Sequence, residues 1–495
     1  MNEVRHVVFR IYPKIDIKIK YILYIQRMPT HPLSLYEMDH HDLALKYIKL
    51  TTGEDGNLCD VVYNSQEADQ NLYIYRNSMW YKDEKQIRIN QDIQNVLLQY
   101  YKNITETDPE KVKAYKNSLK YIKNMNNIKQ IGANVRGMLA EKQTYIVFDM
   151  NEEQKYNLHF KNGCYELLTK TFRERRKDDF ITECLDWEYE EEDKIPPHCF
   201  DEVNDFFEKL QPNEEQRTFT KTWLAYCLCG DTSEKTFKIN IGYSGDNGKS
   251  TEVKIHNVVF PVYTCVMNNK TMSEKNEKRH KHTHQVFTQP KRLAFIEELD
   301  QRRIDAEYMK AFVEGTNMTE DKMYGTTRVV DIQAKLMTIS NKDMNIECSN
   351  AIGCKGVQQF YNSKFISEWD KNNNPVYEKY KKKSFEELKG EHIYEKHLNY
   401  IELYKNNNKM KNAYLHILLK HFKVKDGNRV GLEVPSSLRE AFRNAIGDYD
   451  EFTPLFEAKF ETSGDPDSNV YKEDIIHYFK YNTELNWGWR SILRE

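Results

Sequence analysis

The stretch Gly242-Tyr243-Ser244-Gly245-Asp246-Asn247-Gly248-Lys249-Ser250 follows the spacing G-x-x-x-x-G-K-[ST] and constrains this chain more than any other feature. Its glycines let backbone N–H groups turn inward around phosphate oxygens without a Cβ in the way. The loop is therefore expected to hold ATP with Mg²⁺. The candidate nucleotide-binding residues are Gly242, Ser244, Gly245, Asp246, Asn247, Gly248, Lys249, Ser250 and Thr251. Lys249 would reach the β and γ phosphates as a point charge, and the Ser250 hydroxyl would hold the metal. A helix beginning at Thr251 would add its N-terminal dipole to the anion site. Ahead of the loop, Thr236–Ile241 reads as a strand, although its apolar residues are less continuous than a central parallel strand usually shows.

Two apolar runs follow, and each ends in chemistry. Arg292-Leu293-Ala294-Phe295-Ile296-Glu297-Glu298 closes on paired carboxylates. At a strand tip one carboxylate can join the Mg²⁺ shell, here Glu297, while its neighbour Glu298 orients and deprotonates an attacking water. Lys335-Leu336-Met337-Thr338-Ile339-Ser340-Asn341 ends in an amide that can sense the γ-phosphate or its water.

These three motifs, within about a hundred residues, resemble the superfamily 3 helicases, ring-forming AAA+ motors of DNA viruses and some plasmids. The resemblance is to the poxvirus-type primase–helicases of nucleocytoplasmic large DNA viruses and runs from about Asn71 to Phe365. Phe160–Leu167 and Asp178–Thr182 look like the segment that precedes the motor in that family, and Trp223–Leu228 resembles the helix leading into it. The resemblance implies an α/β fold: an AAA+ P-loop motor core, a parallel sheet flanked by helices, with N-terminal α+β and helical domains and a small, mainly helical C-terminal domain. The expected division is residues 1–90, of unclear role; 91–225, a helical oligomerisation or collar domain; 226–370, the motor; and 371–495, a winged-helix-like domain by analogy.

The same resemblance implies a DNA-binding hairpin in the central channel. Lys310 precedes Gly315-Thr316-Asn317, which departs from the family's Gly-Gly-Asp-like turn, and Lys322, Tyr324 and Arg328 flank Gly325. A cation at such a tip can hold a phosphate, and Tyr324 can stack on a base. The family also places an Arg after the third motif to reach a neighbouring subunit's γ-phosphate. Between Ala351 and Tyr361 the one cation is Lys355, which lacks the planar guanidinium fork. Either Lys355 performs that catalytic role weakly, Arg302 or Arg303 replaces it, or activity is low.

Composition narrows the setting. Of 495 residues, 39% are hydrophobic and 30% charged, a balance suited to globular domains. A formal net charge of −3 neither supports nor opposes nucleic-acid binding, because a ring can concentrate positive charge in its channel. Nine cysteines without a C-x-x-C pair read as reduced thiols with no zinc ribbon. No apolar run reaches the length of a membrane span. The expected location is the host cytoplasm or a viral replication site.

Other clusters carry less. Asp39-His40-His41-Asp42 reads as a solvated helix start rather than a primase metal site. Lys278-Arg279-His280-Lys281-His282-Thr283-His284 reads as a mobile basic loop in preference to a zinc site, since no fourth ligand sits at usable spacing. Phe172–Lys177 is a charge run expected to be a solvated connector. Residues 90–140 and 198–229 have helical periodicity, with a break at Pro212.

The expected function is ATP-driven DNA unwinding by a homo-hexameric ring on single-stranded or forked DNA. It would move 3′ to 5′ by resemblance, with a separate primase and other replisome proteins as partners. A packaging or other DNA-translocating ATPase and a non-hydrolysing replisome scaffold are the alternatives.

Overall fold

The computed structural model describes residues 39–52, 59–64, 71–83, 86–105, 107–141, 146–272, 285–298, 305–315, 318–320, 328–342 and 350–447. Nearly all of these lie in one compact unit, Met1–Arg443, and Asn444–Glu495 form a second. The histidine-rich run 278–284, Arg302, Arg303, Lys322, Tyr324 and the expected elements beyond 447 lie outside the described residues.

The N-terminal part joins α1 (His40–Thr51), an antiparallel sheet of β1 (Val61–Asn64), β2 (Asn71–Arg76) and β3 (Met79–Asp83), and the helices α2 (Ile87–Lys102), α3 (Pro109–Ile122) and α4 (Met125–Ala140). Leu43, Tyr47, Ile74, Ile93, Leu97, Ile131 and Val135 close one core. The Asp39–Asp42 cluster is a helix start: Asp39 caps α1 in a reciprocal capping box with Asp42. One core therefore spans both sides of residue 90, because the α1 stripe and the α2–α4 stripes bury each other.

A second antiparallel sheet, β4 (Asn157–Phe160), β5 (Gly163–Glu166) and β6 (Thr171–Arg173), leads to α5 (Pro197–Leu210) and α6 (Glu214–Tyr226). The charge run at its end is not a solvated connector. Arg173 is 17% exposed, bonded to both Glu166 and Asp179, and Lys177 pairs with Asp60 while its carbonyl accepts from the Trp80 indole at 2.8 Å. Glu166 and Asp179 neutralise Arg173 locally, while Asp60 and Trp80 fasten Lys177 to the N-terminal sheet.

The centre is a five-stranded parallel sheet in the order β13 (Gly356–Phe360), β7 (Phe237–Ile241), β12 (Lys335–Ser340), β9 (Leu293–Glu297), β8 (Thr264–Val266). In order of occurrence this is 5-1-4-3-2. All five β7 residues are buried, Lys238 and Asn240 included. Lys238 is tolerated because it meets the Tyr361 hydroxyl at 3.1 Å and Glu252 at 3.7 Å. Arg292, fully buried before β9, donates to the carbonyls of Gln154, Asn157 and Leu228. The strand thus begins by binding the preceding segment.

α7 (Lys249–Val259) follows β7, and its apolar side shares a core with α5, α6, α12 (Glu402–Lys405) and α13 (Asn408–His421). That core runs from Leu158 to Leu438, so the expected limits at 225 and 370 fall inside it. The remaining short helices are α8 (Ala306–Glu314), α9 (Asn350–Gly353), α10 (Glu368–Asn373) and α11 (Phe385–Leu388). A small ladder of β14 (Lys364–Ile366) with β15 (Ile393–Glu395) closes over Tyr377, Tyr380 and Leu388. β10 (Met318–Glu320) pairs antiparallel with β11 (Arg328–Val330), and Gly325 between them lies outside the described residues. The described chain ends with a short ladder, β16 (Val424–Lys425) and β17 (Asn428–Arg429), and with α14 (Ser436–Gly447). An α/β core with a parallel sheet and flanking helices is thus the observed architecture.

Candidate nucleotide site at the carboxyl edge of the parallel sheet

Three neighbouring strands deliver the site. β7 ends at Ile241, level with Ser340 of β12, and Ile339 lies level with Glu297 of β9. The phosphate loop, Asn341 and Glu298 therefore leave the same edge of the sheet, where open parallel sheets bind ligands.

The loop bends through left-handed backbone at Gly245 (φ 64°), Asp246 (φ 50°) and Gly248 (φ 80°), the last of which caps α7. A Cβ on Gly242 would fall 2.5 Å from the Lys249 ammonium. On Gly248 it would meet Leu210 at 2.7 Å and Phe365 at 3.0 Å. This crowding explains why glycine occupies both positions.

Lys249 is 5% exposed, with its ammonium 2.9 Å from the Gly242 carbonyl, 3.0 Å from Asn247 Oδ1 and 3.1 Å from Asn341 Oδ1. Desolvation depresses its pKa to about 8, opposed by the charge of Glu298. Among the described residues no carboxylate lies within ion-pair distance of it. A buried cation held only by neutral oxygens suits an incoming phosphate.

Asn341 bridges the two charged groups, because its Nδ2 donates to Glu298 Oε1 at 3.0 Å. Glu298 itself sits at φ 49°, unusual for a residue with a Cβ, with its N–H on the Ile339 carbonyl at 2.8 Å. Glu297 and Glu298 are both exposed at the strand tip. Ser250 stands half-buried on the first turn of α7. A hydroxyl and a carboxylate are hard oxygen donors of the kind Mg²⁺ takes.

Other candidates lie elsewhere. Lys355 precedes β13 at the opposite edge of the sheet and pairs with Glu314 at 3.1 Å, so within one chain it is not brought to the phosphate loop. Lys310 is half-buried on α8, and Arg328 opens β11 opposite Glu320.

Sequence reasoning missed what covers the loop. Asp246 accepts the Phe365 N–H at 2.8 Å on its carbonyl, and its carboxylate meets Lys396 at 3.3 Å and the Tyr377 hydroxyl at 3.4 Å. Asn247 donates to the Ser363 carbonyl at 3.2 Å. These partners are more than a hundred residues downstream, and no local pattern announces them.

Residues 59–227 match the family model described as "D5 N terminal like". A curated relative, "Putative helicase L207/L206" of Acanthamoeba polyphaga mimivirus, is 27% identical over 269 residues, 51% of this chain and 28% of that protein. The chain thus spans under a third of that relative's length. Among solved structures, two of the apo C-terminal region of NrS-1 align at 10% and 11% identity. Their TM-scores are 0.41 and 0.43, over 83% and 85% of this chain and 75% and 78% of theirs. None of the described helices is long and apolar enough to cross a membrane.

Proposed function

For a chain that fits the primase–helicases of nucleocytoplasmic large DNA viruses, we propose ATP-driven DNA unwinding of the superfamily 3 type, performed as a hexameric ring in viral genome replication. The observation that carries this reading is the hydrogen-bonded chain Lys249–Asn341–Glu298 at the carboxyl edge of three adjacent strands.

The γ-phosphate of ATP takes the Lys249 ammonium from its neutral oxygens. Asn341 is then free to turn its amide to the phosphate or the attacking water, and Glu298 loses the donor that occupied it. Glu298 accepts a proton as water attacks the γ-phosphorus, the bond to the β-phosphate oxygen breaks, and ADP leaves with the electron pair. Mg²⁺, held by Ser250 and Glu297, would neutralise charge on the β and γ oxygens. The β10–β11 hairpin, with Lys322, Tyr324 and Arg328, and Lys310 on α8 would be the parts that touch DNA, and the hairpin would move with this cycle and draw one strand through the ring.

A strand-separation assay on a forked duplex tests the reading. The protein should release the labelled strand only with ATP and Mg²⁺, and Glu298→Gln should not. Translocation along intact duplex without strand release would replace unwinding by a packaging-type motor. One observation favours a ring that binds ATP only to assemble: the Lys355 ammonium is already engaged by Glu314. In that case a neighbour would receive no cation from this position.

A further inference from the structure

Between Lys111 and Ala140 the chain carries Lys111, Lys113, Lys116, Lys120, Lys123, Lys129 and Arg136 and not one Asp or Glu, although its acids outnumber its bases 76 to 73. This stretch is most of α3 and all of α4. α3 turns Val112, Tyr115, Leu119 and Ile122 toward the core, with Ile122 fully buried. Lys113, Lys116, Lys120 and Lys123 each follow one of those positions, and all four are exposed. They therefore form a single row about 15 Å long beside the buried stripe.

Several surface lysines elsewhere have acids beside them: Lys209 with Asp205, Lys383 with Glu391, Lys405 with Glu402, Lys423 with Glu433. Among the described residues none of the four α3 lysines lies within ion-pair distance of a carboxylate. Like charges three and four residues apart destabilise a helix. Asn117, Asn124, Asn126, Lys129 and Gln130 extend the exposed surface with further polar groups.

We propose that this face of α3 binds the phosphate backbone of duplex DNA, as a surface separate from the β10–β11 hairpin. Ammonium and amide groups hold phosphates without reading bases. Single-strand sites add aromatic platforms for the bases, whereas Tyr115 and Tyr121 here are half-buried and Tyr121 is hydrogen-bonded to His40 at 2.6 Å. Duplex is therefore the better fit. The inference rests on DNA being the motor's substrate, but not on turnover.

The test is fluorescence anisotropy of the full chain, without nucleotide, on a labelled duplex and on a single strand of the same length, from about 50 to 200 mM salt. The compared proteins are wild type, a variant with Lys113, Lys116, Lys120 and Lys123 all changed to Glu, and its counterpart with Gln. Glu and Gln have helix propensities close to that of Lys, and the Gln variant keeps the result readable should the Glu variant not fold. Duplex affinity should fall at least tenfold in the Glu variant and less in the Gln variant, with ATP affinity unchanged. The slope of log affinity against log salt should become shallower by about 0.9 for each phosphate that is no longer neutralised. A wild-type slope retained by both variants overturns the proposal, and so does a wild-type chain that does not bind the duplex. Should the unwinding reading fail instead, strand release is absent while duplex affinity still depends on these four lysines.

Discussion

The amide oxygen of Asn341 lies 3.1 Å from the Lys249 ammonium while its nitrogen donates to Glu298, so one side chain joins the lysine of the glycine-rich loop to the carboxylate just past β9. Lys249 opens α7 while Glu298 and Asn341 directly follow two different strands, and the three are far apart in sequence. Replacing Asn341 by Ala removes both bonds and leaves Lys249 its bonds to Gly242 and Asn247. Turnover should fall about 100- to 1000-fold, as for removal of one preorganised group. ATP affinity should change by less than about threefold, because Lys249 keeps its place. Steady-state turnover beside fluorescent-nucleotide binding separates the two effects.

Lys249 gives the site a pH signature. Its pKa is depressed to about 8 by burial, while an unfolded lysine titrates near 10.4. Between those values the unfolded state holds more protons than the folded one, so nucleotide-free stability gains from this group as pH rises through that window. Bound phosphate reverses the preference and recharges the lysine. At pH 8.5 ATP binding should therefore take up about three-quarters of a proton, and close to none from this group at pH 7. Calorimetry in two buffers of different ionisation enthalpy measures the uptake, and Lys249→Ala should remove it while weakening ATP binding at least tenfold.

Gly248 is constrained twice, by φ 80° and by the approach of Leu210 and Phe365. Gly248→Ala should cost about 1–3 kcal/mol from strain and overpacking. The expected result is a lower denaturant midpoint with an unchanged slope in chemical unfolding.

Under the loop lies a charged group in the core. Lys238 and Glu252 are both 0% exposed, and the Tyr361 hydroxyl joins them, donating to Glu252 at 2.5 Å. Burial lowers the pKa of Lys238 and raises that of Tyr361 well above its ordinary value. Glu252 Oε1 accepts no hydrogen bond among the described residues. Tyr361→Phe should thus cost about 1–3 kcal/mol by stranding Glu252 further. Lys238→Met or Glu252→Met alone should each cost about 3–5 kcal/mol, and the double replacement less than either. Equilibrium unfolding of the four variants checks this.

The motifs were legible because β7, β9 and β12 are apolar enough to read as strands, and each hands its function to the residue just past its end. β13 was not legible. Gln358 and Gln359 are buried at 1% and 0% exposure, and Gln359 is satisfied by Thr220 and Gln216 of α6, well over a hundred residues earlier. A strand whose polar residues find distant partners shows no apolar period. The same reason hid Lys177, whose partner Asp60 is more than a hundred residues earlier, inside a run that looked solvated. It also hid the pairing of Asp246 with Tyr377 and Lys396, which makes the segment after β13 part of the loop's surroundings.

The central claim is tested most directly by ATP hydrolysis with and without single-stranded DNA, comparing wild type with Lys249→Ala and Glu298→Gln. The account predicts DNA-stimulated turnover that both substitutions abolish, with ATP still bound by Glu298→Gln and bound at least tenfold more weakly by Lys249→Ala. Wild-type protein that binds ATP and assembles rings without turning it over would contradict it.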